Sequence, residues 1–289
     1  MIKLKGHSEF SVKIINKNDK FFIEKSSFNI EDFKRLQSQI NKQQKMYENN
    51  FLFPNIKIPR IIKNVENSFI MEYIHNSDNV IDFIIRHNII RYTWFIKNII
   101  CIIETYISKC NLGYINIDTL TNKINNVIHN IINNNNIKFN NNLNIIFEYL
   151  KKNINIITKT KFPIGICHGD LTLSNILIDS DNLKLYLIDF LDSFIDTPIL
   201  DIVKIRQDTK YLWSLNMYHY KYDINKTIII LNYIDINIDN YFKKYDFYVK
   251  GYKFFQILNL LRVLQYSKNR DISEKLINNI LSCYSDNTL

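Results

Sequence analysis

The chain is poor in residues that interrupt or cross-link a fold: of 289 residues, 5 are glycine, 4 proline and 4 cysteine. So few glycines and prolines argue against long flexible linkers. No repeat of fixed period is visible, which sets solenoids and propellers aside. The cysteines, Cys101, Cys110, Cys167 and Cys283, form no C-x-x-C pair. No zinc module is expected from them, and in a chain of this length they read as free thiols in a reducing compartment. Cys167 adjoins His168, but no third group is placed to orient a thiol–imidazole pair, so Cys167 reads as a buried structural residue. No run reaches the ~18 uncharged apolar residues of a membrane span. Residues 1–5 lack the uninterrupted apolar stretch of a secretory signal. We therefore expect a cytoplasmic protein without membrane association. The net charge is +9, yet its lysines are scattered among asparagine and isoleucine, with no basic arm. That pattern reads as a solvated basic surface, and no nucleic-acid partner is expected.

What the chain does have is a core and one dense motif. Hydrophobic residues make up 46% and charged residues 22%, ample for a packed bilobal enzyme or two domains. The motif is His168-Gly169-Asp170-Leu171-Thr172-Leu173-Ser174-Asn175, followed by Leu187-Ile188-Asp189-Phe190. It is similar to the H-R-D-L-x-x-x-N and D-F-G motifs of protein kinases, in which the first Asp meets the acceptor hydroxyl and the Asn and second Asp hold magnesium. Here glycine replaces the arginine, and Leu191 stands where the last glycine would be. Between Asn175 and Asp189, residues 176–179 and 183–188 read as two strands around a polar turn. Such a hairpin returns Asp189 to the level of Asn175, so Asp170, Asn175 and Asp189 converge by local topology. Phosphoryl transfer needs a held hydroxyl, magnesium and positive charge, and hard oxygen ligands such as Asn175 and Asp189 suit that cation. His168 reads as a brace for the loop rather than a proton carrier.

Upstream, residues 2–5, 10–15 and 20–25 alternate as strands around turns at 6–9 and 16–19. Residues 6–11 stand where a phosphate-covering loop belongs, although a hairpin turn explains their one glycine equally well. Lys25, at the end of the third strand, is the candidate phosphate lysine. Residues 30–49 read as a helix capped at Asn29, with Phe33, Leu36, Ile40 and Tyr47 on its apolar face. This helix offers Gln37, Gln39, Gln43 and Gln44 where kinases place a glutamate. Either Glu48 pairs with Lys25, or a glutamine does so through a neutral hydrogen bond, or another lysine (Lys13 or Lys20) takes its place. Residues 60–65 and 68–74 form a further hairpin. Its second strand ends in Met71-Glu72-Tyr73-Ile74, similar to the segment that reads adenine through backbone groups, so Met71, Glu72 and Tyr73 are candidate nucleotide contacts. A boundary near residue 75 then separates a β-rich part, residues 1–75, from a mainly helical part, residues 76–289, with 76–79 as the connecting loop.

On the residues from His168 to Asp201 the chain resembles the aminoglycoside phosphotransferase and choline kinase superfamily, which favours H-G-D over H-R-D. The resemblance implies an α+β, bilobal protein-kinase-like fold, with a small antiparallel β lobe and a larger helical lobe. It implies Asp170 as catalytic base, Asn175 and Asp189 as magnesium ligands, ATP or another nucleoside triphosphate as donor, and Asp201 as a brace for the catalytic loop. The implied partner is a small-molecule hydroxyl compound, here a sugar or amino sugar. Choline or ethanolamine fits less well, because the segment after Asp189 lacks an acidic–aromatic pair. Asp192 could contact the acceptor. The motif also resembles the atypical protein kinases of the KEOPS complex, though those continue with glycine after I-D-F. A nucleotide-binding protein without catalysis is the remaining alternative, motivated by the missing helix glutamate.

Overall fold

The computed structural model describes residues 2–4, 10–48, 55–65, 67–86, 92–138, 140–218 and 221–286. The elements in chain order are β1 (Ile2–Leu4), β2 (Ser11–Lys17), β3 (Lys20–Ser26), α1 (Ile30–Glu48), β4 (Ile56–Lys57), β5 (Ile61–Val65), β6 (Ser68–Glu72), β7 (Ser77–Asn79), α2 (Val80–Arg86), α3 (Tyr92–Lys109) and β8 (Asn111–Tyr114). There follow α4 (Ile117–Ile132), α5 (Asn141–Lys159), β9 (Lys161–Ile164), β10 (Ile176–Asp179), β11 (Lys184–Leu187), α6 (Pro198–Thr209), α7 (Trp213–Asn216), α8 (Ile224–Phe242), α9 (Asp246–Leu264) and α10 (Arg270–Ser285). A small antiparallel sheet and a mainly helical remainder are the α+β class expected from the sequence.

Two compact units divide the chain: Met1–Arg91 with His168–Ser193, and Tyr92–Cys167 with Phe194–Leu289. They cut it differently from the boundary near residue 75. The physical reason is strand pairing, since residues 77–79, read as loop, form β7 against β10, with Leu177 opposite Asn79.

The first unit holds two sheets. One has the order β1-β2-β3-β6-β5 and the other β4-β11-β10-β7. The β2–β3 turn places Asn18 at φ 51° and Asp19 at φ 60°. Two left-handed central residues make a type I′ turn, whose twist suits a two-residue hairpin, and Asn and Asp tolerate that conformation. In α1, Leu36 and Ile40 are fully buried against Phe10, Ile23, Phe69 and Met71. Tyr47 was expected on this face and lies 43% exposed instead, while Met46 is buried.

The second unit is built around α9, where Phe254, Phe255, Leu258 and Leu261 are buried together with Tyr248 and Tyr252. A β-carbon at Gly251 would come within 2.7 Å of the Phe162 ring, so the glycine lets that ring lie on the helix. Inside this core Arg206 is 2% exposed. Its guanidinium donates to both carboxylate oxygens of Asp235 at 2.9 and 2.8 Å, to Asp239, and to the Tyr248 hydroxyl at 2.6 Å. The Tyr252 ring lies 4.3 Å from its central carbon. Breaking such a network from one side leaves carboxylates buried without their cation. Arg206→Met should therefore lower stability by about 3–5 kcal/mol, read as a shifted urea midpoint with the far-ultraviolet spectrum retained before the transition.

Candidate active site

His168 begins the motif-bearing segment of the first unit, and two backbone contacts set its shape. The Leu191 N–H donates to the His168 carbonyl at 3.0 Å, and the Ile188 N–H to the Asn175 carbonyl at 3.1 Å. Between them, β10 and β11 pair with Ile176 opposite Leu187. The hairpin thus returns the chain beside its starting point, as its alternation predicted.

Gly169 shows why arginine is absent here. Its φ is +88°, and a β-carbon there would lie 1.9 Å from the Leu191 carbonyl oxygen. Any side chain would collide with backbone, and an L-residue disfavours that φ as well. Asp189 also has a positive φ, 61°, without being glycine. Such backbone costs of order 1–3 kcal/mol and persists only where surrounding contacts fix it.

One of those contacts is Lys25. Its ammonium is 3.0 Å from Asp189 Oδ1 and 3.0 Å from Gln39 Oε1. The lysine is 2% exposed, while the Asp189 side chain is 37% exposed. Lys25 is therefore held by a glutamine. Glu48 is exposed at the last position of α1. Gln43 is occupied elsewhere, donating to the Pro59 carbonyl at 2.8 Å, and Gln37 exchanges bonds with Asn64. Lys42, a residue that the motif comparison passed over, donates from α1 to the Leu191 carbonyl at 2.9 Å. Its signal was position alone, three residues beyond Gln39 on the same helix.

Asn175 Nδ2 donates to the Asp170 carbonyl at 2.9 Å and to Asp170 Oδ2 at 3.0 Å. With the amide nitrogen turned to Asp170, the amide oxygen is the group that could bind a cation. Among the described residues, no three His, Cys, Asp or Glu side chains cluster as a metal site. A magnesium ion here would rest on Asn175, Asp189 and phosphate oxygens, a hard donor set that fits it.

His168 is fully buried and stacks on Phe190 with ring centres 4.2 Å apart. Its Nδ1 accepts the Asp170 N–H at 3.3 Å, which places the ring proton on Nε2. Burial lowers its pKa from 6.5 to about 4, against an opposing pull from Asp170. The ring is neutral near pH 7 and braces the loop.

The remaining sequence candidates are placed as follows. Residues 6–9 of the candidate phosphate-covering loop lie outside the described residues. Met71 is buried in the α1 cluster, and the Glu72 N–H donates to the Arg60 carbonyl at 3.1 Å. Tyr73 stands half-buried beyond the strand end, edge-on to His75 with ring centres 4.8 Å apart. Asp192 is exposed. In the second unit, the buried Cys167 thiol donates to Asp196 at 3.2 Å, Asp201 is fully buried in the first turn of α6, and Tyr211 is core.

Residues 138–214, which span the whole motif, match the model of the phosphotransferase enzyme family. No curated protein matches the chain. The solved structures it resembles include choline kinase LicA from Streptococcus pneumoniae, at 14% identity over 98% of this chain and 92% of that one, with a TM-score of 0.62. The gentamicin complex of APH(2")-IIa is similar at 13% identity, over 99% and 91% of the two chains, with a TM-score of 0.63. A Plasmodium vivax ethanolamine kinase is similar at 15% identity, over 97% and 84%, with a TM-score of 0.53. At such identities the likeness establishes the protein-kinase-like fold. The family match falls on the residues that carry the motif.

The matched segment keeps the Asp–Asn–Asp arrangement and departs from protein kinases at Gly169 and Leu191.

Two outcomes follow from this geometry. Gly169→Ala should lose at least ~2 kcal/mol of stability, since a methyl group meets backbone rather than a movable side chain, and chemical denaturation reads this directly. For His168 the folded pKa lies below the unfolded one, so the unfolded chain binds the extra proton first. Stability from this group is then intact above pH 6.5 and falls as the pH drops towards 4. Across that window the wild type should lose up to about 3 kcal/mol relative to His168→Asn, measured as the pH dependence of the difference in unfolding free energy.

Proposed function

We propose that the protein transfers the terminal phosphate of ATP, or another nucleoside triphosphate, to a hydroxyl of a small molecule, a sugar or amino sugar. The observation that carries this reading is that two pairs, Lys25 with Asp189 and Asn175 with Asp170, each at 2.9–3.0 Å, lie in one compact unit at the two ends of one hairpin.

Asp170 accepts the proton of the acceptor hydroxyl as its oxygen bonds to phosphorus and the bond to the diphosphate leaving group breaks. Asn175, bonded to Asp170, fixes the direction of that carboxylate. Lys25 gives its charge to the phosphate oxygens. Asn175 and Asp189 would hold magnesium, which neutralises phosphate charge when bound. The Met71 side chain and the Glu72 N–H are already engaged, so base recognition falls to the backbone from Tyr73 onward.

Asp192, exposed, offers its carboxylate to a hydroxyl or an amine of such an acceptor.

The test is phosphate transfer over a panel of sugars, amino sugars, choline, ethanolamine and aminoglycosides. Asp170→Ala should reduce turnover by about 10²–10⁴-fold while nucleotide binding persists. Unchanged turnover in that variant would sink the assignment.

A further inference from the structure

Among the described residues the ammonium of Lys25 is paired with one carboxylate, that of Asp189, and that carboxylate is the proposed metal ligand. Its other partner, Gln39, is 7% exposed and neutral. Gln39 lies on the buried face of α1, directly before Ile40. A glutamine fixes the position of an ammonium without cancelling its charge. A glutamate at the same place would add a second negative charge, in a poorly solvated site where charges act most strongly. Of the two partners, Asp189 is the more exposed and can be drawn away by an incoming cation; Gln39 stays behind.

We propose that Gln39 is the positioning residue for Lys25, and that its neutrality lets the lysine exchange Asp189 for nucleotide phosphate with its charge intact. This rests on the nucleotide-binding reading above. When Asp189 turns to a cation, Lys25 keeps its place through Gln39 and presents a full positive charge to the phosphates. Nucleotide affinity is thereby tied to the charge state of position 39 and not only to its shape.

The experiment uses the full chain and calorimetry with three probes: ATP with magnesium, ADP with magnesium, and adenosine. Gln39→Glu should weaken ATP by about tenfold, weaken ADP less, and leave adenosine within about twofold, because only the phosphates feel the added charge. Gln39→Met keeps the length and removes the bond. It should weaken ATP by about threefold, because the lysine loses its anchor while its charge stays uncancelled. Equal ATP affinity in Gln39→Glu and wild type overturns the proposal. So does an equal loss for adenosine, or a loss in Gln39→Met as large as in Gln39→Glu; each marks position 39 as packing alone. Wild type binding none of the three probes would instead overturn the nucleotide reading itself.

Discussion

The carbonyl of Leu191 lies against Gly169, and the candidate site takes its geometry from that contact. The Leu191 N–H is bonded to the carbonyl of His168, its carbonyl accepts from Lys42, and its approach leaves no room for a β-carbon at Gly169. The contact therefore accounts for glycine at position 169, whereas Leu191 enters it through backbone atoms alone. A kinase with arginine after the histidine cannot bring the chain beyond I-D-F down onto the loop in this way. Here glycine permits the approach, and a leucine follows the phenylalanine.

The contact has consequences along the chain in both directions. It holds the turn at Asp189, where a non-glycine residue sits at a positive φ, and so aims the carboxylate at Lys25. It also keeps Phe190 stacked on His168, and burial there keeps the imidazole neutral. A buried lysine with a half-exposed acid is a weak source of stability, because desolvation offsets much of the attraction. What the pair secures is position: the ammonium at the end of β3 and the carboxylate at the end of the hairpin are fixed before any ligand arrives.

Much of this was legible in the residues. The hairpin between Asn175 and Asp189 is local, so alternation and a polar turn sufficed to bring the acids together. The strands around Lys25 and the helix at 30–48 follow from patterns of period 2 and 3.6. What was not legible depends on rotation and distant pairing. Four glutamines lie on α1, and choosing Gln39 requires its phase relative to β3, which the packing of Leu36 and Ile40 decides. Polar residues on an apolar face were the available signal, blurred by the misplaced Tyr47. Residues 77–79 form a strand only because β10, about a hundred residues later, pairs with them. The engaged N–H of Glu72 could not be read from a segment whose side chains say nothing about backbone partners.

The charges of the site follow from the same contacts. Burial neutralises His168, and Gln39 carries no charge at all. Among the described residues bonded around the loop, leaving the exposed Asp192 aside, Lys25 and Lys42 stand against Asp170 and Asp189, two cations to two anions. A site whose own charges cancel has little net attraction for a polyanion such as a triphosphate. On the proposed reading, a cation accompanying the nucleotide changes that balance by engaging Asp189, and Lys25 is then left with a charge that neither of its described partners offsets. The neutral side chain on α1 is thus of a piece with the buried imidazole. Each withholds a charge, so that those remaining on Lys25 and Asp170 are left for the phosphate and the hydroxyl proton.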